Sequence, residues 1–444
     1  MGIKRMPRLL PRSLPTLLLS LLLLASLCLL GGGPAAAAGS SDPNDLDGMG
    51  RATLDLPPAG ASDADDVQQV VPLGSSGQEC QVPDESSAQA RSGVAKVCTR
   101  TTPIPASELK SSKGSDVGAA AVTCTPGSWT YDRFSSCLSG ARVTYTLYDD
   151  KGAPLGTAVL TLNGSMNLNA TSTAWSDTLT VTLTSTSARV PSLNVALNAS
   201  CSSKCTTTTA SPWVGARTLT LNQSASGTVR YSTTLTTGLS DETTTKYSLF
   251  VTQTGTIPID PSADFTNPRV IRCDNIVSNN PGCVYPSITP RMTLSVATYG
   301  GAAMTYFWAQ EVLIDGWGKD QPLRRLADTS IQDSNRYNTC ENGVYVKDLV
   351  NVGANDSCDE FPFAATYEAT GRTAVSCAEI LPLKEDDGTW GIYWYLSKVP
   401  TGNERCVIGH VDSGSNSLAG TALSNFTQGQ RLLDLDKYYL DITA

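Results

Sequence analysis

Cysteine spacing constrains this chain more than any other feature of its 444 residues. Of thirteen cysteines, twelve fall into neighbours along the chain: Cys80 and Cys98, Cys124 and Cys137, Cys201 and Cys205, Cys273 and Cys283, Cys340 and Cys358, Cys377 and Cys406. The remaining one, Cys28, lies in an apolar run from about Leu17 to Leu30. That run follows Lys4, Arg5, Arg8 and Arg12 and precedes Pro34-Ala-Ala-Ala-Ala38. A basic start, a short apolar stretch and small residues for cleavage mark a secretory signal peptide, here residues 1–38. The run is about 14 residues long and falls short of the ~20 needed to span a bilayer, so no transmembrane anchor is expected. Leu27 stands before Cys28 where a lipidation signal would place a small residue.

An exported chain folds under oxidising conditions, and an even set of twelve mature cysteines then reads as up to six disulfides. Local spacing suggests the six neighbouring pairs, although spacing alone does not fix connectivity. A cysteine-ligated zinc is the alternative. It is disfavoured because no pair has a repeated knuckle spacing and because His410 is the only histidine, which removes mixed Cys/His sites.

Charge sets a second limit. Removing residues 1–38 leaves 28 basic residues against 41 acidic ones, a formal charge of −13. A protein this acidic does not attract nucleic acid by bulk charge, so any action on DNA needs local basic side chains or a bound cation.

The texture changes along the chain. Residues 39–118 are rich in Ala, Gly, Ser, Asp and Pro and read as a flexible spacer or pro-segment. Residues 119–262 alternate Thr or Ser with Val or Leu in seven runs: Val143–Leu147, Ala158–Leu162, Leu179–Leu183, Leu193–Leu197, Thr218–Leu221, Val229–Tyr231 and Tyr247–Val251. Period-2 runs broken by turn residues predict half-buried antiparallel strands, and seven of them suit an all-β sandwich of immunoglobulin-like type. It reads as a binding or display module, with a cell-surface ligand as its partner, or as a plain spacer domain.

Residues 263–444 mix helix and strand patterns and predict an α+β domain. Pro322 through Arg336-Tyr-Asn reads as one helix, Thr389–Leu396 and Arg405–His410 as strands, Gly420–Gln428 as a short helix and Lys437–Ile442 as a last strand.

With one histidine, three-His zinc hydrolysis and the two-His metalloprotease helix are excluded. No Gly-x-Ser-x-Gly elbow accompanies His410. His410 reads first as a structural or hydrogen-bonding residue and second as a substrate-binding candidate.

The densest polar signal is Cys358-Asp-Glu-Phe-Pro-Phe-Ala-Ala-Thr-Tyr-Glu368. Asp359 and Glu360 sit between a cysteine and an apolar turn at Pro362, where fixed carboxylates can hold a hard cation or take a proton from water. Adjacent acids also occur simply as solvated turns. Asn416, in Asp412-Ser-Gly-Ser-Asn-Ser-Leu-Ala-Gly420, offers an amide oxygen to the same cation or caps the following helix. A continuous helix would place Arg325 and Arg336 on one face, with Gln332 near the same stripe, as phosphate contacts or as a solvated surface.

These motifs resemble the DNA-entry and sporulation-type extracellular deoxyribonucleases, the NucA/NucB family. The likeness lies in the Cys358–Glu368 segment, in Ser415-Asn-Ser-Leu-Ala-Gly-Thr421 and in Asp434-Leu-Asp436-Lys-Tyr-Tyr, and covers about 322–442. Ser415 stands where the family commonly has an aspartate before the asparagine.

The resemblance implies a domain similar to the ββα-metal nucleases, holding one divalent cation, Mg2+ or Mn2+, beside the scissile phosphate of DNA. It implies that Asp359, Glu360 and Glu368 are the catalytic acids, one of the first two being the general base. It further implies that Asn416 and Glu360 ligate the metal, while Arg325, Arg336 and His410 are candidates for the substrate side. An immunity or inhibitor protein is a further candidate partner.

The expectation is therefore a secreted, metal-dependent, sequence-nonspecific endodeoxyribonuclease. One alternative is a surface-associated binding or structural protein with a degenerate nuclease-like domain. A glycosidase would also use two acids, but adjacent residues in one turn seldom face each other across a sugar.

Overall fold

The computed structural model describes residues 49–58, 68–105, 122–253, 263–277 and 280–444. Residues 1–38, where the sequence predicts a signal peptide, lie outside the described residues. Strands hold 45% of the described residues and helices 17%, so the described part of the chain is β-rich. Among the described residues no helix is long and apolar enough to cross a membrane.

All seven alternating runs are strands: Ser135–Tyr148, Pro154–Asn167, Ala174–Ser185, Ser192–Cys201, Arg217–Thr220, Ser224–Thr233 and Thr245–Thr252. Their period of two turns Val143, Tyr145, Leu160, Leu162, Val181 and Leu193 into one apolar core. The first three form an antiparallel meander within a nine-stranded sheet. The Ser192–Cys201 strand belongs instead to a four-stranded sheet, with Arg217–Thr220, Thr245–Thr252 and Ala263–Thr266. Two sheets over one core make a sandwich, but three consecutive strands side by side are not the immunoglobulin order.

Two boundaries read from the sequence are corrected. Within the supposed spacer, Gln69–Pro72, Gln78–Gln81 and Lys96–Pro103 are strands of the nine-stranded sheet. Lys96–Pro103 pairs along its whole length with Ala141–Tyr148, so its order comes from a partner about 45 residues away, which no local pattern reveals. The sandwich also extends past residue 262. Phe265, Ile271, Cys283, Tyr285 and Ile288 belong to its core, and the second core begins at Met292. The six disulfides join the pairs that local spacing suggested.

The second core is built on a five-stranded mixed sheet in the order Met49–Ala52, Trp390–Tyr395, Ala378–Lys384, Val407–Asp412, Asp356–Phe361. The last of these is an edge strand, antiparallel to Val407–Asp412 with Asp359 opposite Gly409. One face carries the helices Val296–Val312 and Ser413–Gly429. On the other face a smaller cluster forms around the Cys377–Cys406 disulfide, Ile408 and Tyr345.

Two helices differ from their sequence readings. In the stretch from Pro322, Leu323–Arg324 pairs with Lys437–Tyr438 of the C-terminal strand, and the helix begins only at Thr329, capped by Asp328. Arg325 is therefore not on that helix. Near the C-terminus the helix starts at Ser413 and not at Gly420, because Asp412 is both the last residue of its strand and the N-cap, accepting from the Gly414 N–H at 2.8 Å. Asn416 thus lies inside the first turn rather than in a loop.

Buried arginines join the two cores. Arg431 donates through Nε to Asp274 Oδ2 at 3.0 Å and through Nη1 to the Ala170 carbonyl at 2.6 Å. Arg272 pairs with Asp436 at 2.8 Å, and Arg133 donates to the carbonyls of Gln430 and Ile288, each at 2.6 Å. Asp436, part of the motif that carried the family resemblance, is thus the acidic anchor of this junction.

Candidate active site

The edge strand Asp356–Phe361 borders a cleft of about 550 Å3 between the Thr329–Arg336 helix and the Ser413–Gly429 helix. Alternation along the strand divides its side chains. Ser357, Asp359 and Phe361 turn toward the two long helices, while Cys358 and Glu360 turn toward the short one. Both acids reach the cleft because no further strand covers this edge.

Asp359 is 4% exposed. Its Oδ1 accepts the Tyr306 hydroxyl at 3.0 Å, whereas Oδ2 has no hydrogen-bond partner. Burial, with the Glu360 charge adding to it, pushes this carboxyl well above the usual range. Burial likewise pushes Glu360 up to about 7, opposed by the Arg336 guanidinium. Glu360 Oε1 lies 4.0 Å from Arg336 Nε, and Oε2 lies 3.3 Å from Cys340 Sγ.

Asn416 donates its amide N–H groups to the Cys358 carbonyl at 2.8 Å and to Ser357 Oγ at 3.0 Å. Since the carbonyl can only accept, the amide orientation is fixed and Oδ1 remains as the acceptor. From Asn416 a helical stripe through Gly420, Leu423, Ser424 and Thr427 lines the same wall.

Two arginines border the cleft from unrelated elements. Arg336 is half-exposed, with Asp333 Oδ1 at 3.5 Å, and is free to turn toward a ligand. Arg325 donates to the Leu432 carbonyl, and burial lowers its pKa. Gln332 lies between them on the cleft wall and donates to the Leu326 carbonyl at 2.8 Å.

No family model, curated protein or solved structure matches the chain. What speaks for the site is therefore its own geometry together with the motif residues. Five sequence candidates, Asp359, Glu360, Asn416, Arg325 and Arg336, line one cleft.

Two candidates lie elsewhere. Glu368 is buried behind the site, where its carboxylate accepts Arg324 N at 2.8 Å and pairs with Arg324 Nε at 2.7 Å. It fixes a turn and does not line the cleft. His410 sits on the opposite face of the sheet, fully buried, with Nδ1 2.8 Å from Asp356 and Nε2 3.0 Å from Glu379. Burial alone would lower its pKa, but the hydrogen bonds to Glu379 and Asp356 raise it. A histidine clamped between two acids under a stacked Tyr345 ring, at 4.7 Å, ties three strands together and does not line this cleft.

Sequence reading missed Tyr306, which lies 53 residues before its partner Asp359 in a helix whose aromatics all look like core. The small and polar stripe Asn416, Gly420, Ser424, Thr427 was open to detection from its helical spacing, had the helix been started at Asp412.

Oxygen donors suit a hard cation: Asp359 Oδ2 is a buried carboxylate oxygen without a partner, and Asn416 Oδ1 is a second oxygen on the same side of the strand, while Glu360 turns to the other side. Sulfur does not contribute while Cys340 and Cys358 are bonded to each other.

Proposed function

We propose that the chain is an exported, metal-dependent endodeoxyribonuclease of the NucA/NucB type, cutting DNA without sequence preference. The observation that carries this reading is the convergence of Asp359, Glu360, Asn416, Arg325 and Arg336 on one cleft beside the edge strand. Asp359 and Asn416 would hold the cation, Mg2+ or Mn2+, on the helix-facing side of the strand. Glu360 faces the other side and is left to act as base. When bound, the cation offsets charge on the phosphodiester and on its leaving oxygen.

The chain's own groups do the remainder. Glu360 is poised near neutrality and takes a proton from an attacking water. Arg336 turns from Glu360 and Asp333 toward a phosphate oxygen, and Arg325 adds positive charge on the same wall. Tyr306 orients the Asp359 carboxylate. The strand Val407–Asp412 passes without a loop into the helix Ser413–Gly429 and lies antiparallel to Asp356–Phe361, so two antiparallel strands and a helix meet at the cleft, which supports the likeness to the ββα-metal nucleases. Two arginines and a cation supply the local positive charge that an acidic protein lacks.

The test is plasmid nicking by the purified mature chain. Cleavage is expected with Mg2+ or Mn2+, none with EDTA, and losses of about 100-fold or more in each of Asp359→Ala, Glu360→Ala and Asn416→Ala with circular dichroism unchanged. Near wild-type rates in any two of the three would overturn the assignment.

A further inference from the structure

Glu360 has a second set of neighbours besides the nuclease acids. Cys340, from the turn Tyr337–Glu341 that ends the short helix, and Cys358, from the edge strand, meet beneath it. One ligand atom each from Cys340, Cys358 and Glu360 lie within 4.8 Å of one another, and all three side chains are half-buried. Among the described residues no other group of three such side chains converges in this way. All three also line the cleft, so a small thiol and a metal ion both have access.

In the disulfide the two sulfurs are spent on each other. Opened, they become two thiolates beside a carboxylate, a three-donor face with its fourth position toward the cleft. This is the donor number and type of a zinc site with one open position, and thiolate pairs select Zn2+ over Mg2+ or Ca2+.

We propose that reduction of Cys340–Cys358 creates a Cys2Glu site for a thiophilic divalent cation, chiefly Zn2+, at the floor of the cleft. A dithiol reductant attacks one sulfur, the protein S–S bond breaks, and the reductant closes to its own disulfide, so that two electrons pass to the protein sulfurs. Zn2+ then displaces one proton from each thiol and changes no oxidation state. The proposal concerns metal binding and does not rest on the nuclease reading. If that reading also holds, a zinc ion on Glu360 removes the proposed base, and the reduced, zinc-loaded protein is inactive until reoxidised.

The experiment uses the full mature chain and Co2+ as a spectroscopic stand-in for Zn2+. The protein is treated with dithiothreitol, freed of it anaerobically and titrated with Co2+. The expected result is a thiolate-to-cobalt charge-transfer band that saturates at one ion per chain, bleaches on adding Zn2+ and is absent before reduction. It should also be absent from Cys340→Ser/Cys358→Ser treated in the same way. Glu360→Gln, which keeps the disulfide, should weaken cobalt binding by about 10-fold or more.

The same band in the double-serine variant would place the metal on other cysteines and overturn the proposal. So would unchanged affinity in Glu360→Gln, or no band when mass mapping of alkylated peptides shows Cys340 and Cys358 reduced. Loss of the folded circular-dichroism signal on reduction would overturn it too, because the site requires strand and turn to stay together without their covalent link.

Discussion

Asp359 shows at the scale of one residue how a site of this kind conflicts with stability. Its folded-state pKa lies well above the ordinary value through burial and the adjacent Glu360, so ionisation favours the unfolded chain. The sign follows. Below the unfolded carboxyl pKa both states are protonated and nothing is lost; as pH rises from there toward the folded pKa the penalty grows, and above it the penalty is complete. Asp359→Asn keeps an acceptor for Tyr306 and cannot ionise. Without divalent cation, the variant should therefore melt higher than wild type at pH 8 and at the same temperature near pH 4, while nicking is abolished. Equal melting temperatures at both pH values would show that the carboxylate is not destabilised in place.

Glu360 gives the kinetic counterpart: pushed up to about 7, a base of this kind yields nicking rates that climb from pH 6 to pH 8. The residual rate of Glu360→Gln should be flat over that range. The same residue scale explains what was legible. Asp359, Glu360 and Asn416 stood out because their types and motif spacing are local properties. Glu368 and His410 looked equally chemical, but their partners Arg324, Asp356 and Glu379 are brought in by the fold, and a sequence does not display which acids are already satisfied.

At the scale of elements, the decisive piece is the junction at Asp412. Ser413-Gly-Ser-Asn-Ser has low helix propensity, which is why local pattern alone places the helix start at Gly420. The Asp412 cap, with the preceding strand fixed in the sheet, overrides that preference and swings Asn416 onto the cleft wall. Asp412→Ala should lower stability by about 1 kcal/mol and reduce nicking well beyond what the stability loss explains, because Asn416 Oδ1 loses its placement. Asp412→Ser should restore both, since a hydroxyl can accept the same N–H. A variant that loses stability but keeps full activity would separate the cap from the site. The Pro322–Asn338 segment failed for the opposite reason: its apolar and basic pattern fits a helix, yet Leu323 and Arg324 are claimed by a strand more than 110 residues downstream. Strand alternation in the sandwich read correctly because both faces of those strands have consistent environments, whereas Lys96–Pro103 lies beside a partner that composition does not announce.

At the scale of the whole molecule, the arginine junction decides whether sandwich and cleft domain behave as one body. Arg431 is 2% exposed and its partner Asp274 is fully buried, so removing either leaves an unpaired charge in a low-dielectric setting. Arg431 also contacts Ala170 at a turn of the nine-stranded sheet, while the carbonyls of Gln430 and of Arg431 itself accept from Arg133 and Arg272. Guanidinium groups and carbonyls from both cores thus interlock. Coupling through such a junction predicts one calorimetric transition in the oxidised wild-type protein, despite two separate apolar cores. Arg431→Ala should cost about 3–5 kcal/mol and split that transition, with the sandwich, which holds the larger core, melting at the higher temperature. Asp274→Ala in the same chain should recover part of the loss, since the orphaned charge goes with it. If Arg431→Ala left a single transition at the wild-type temperature, the interface would owe its cohesion to packing alone, and the sandwich would serve the cleft as a passive carrier and not as a support for its C-terminal strand.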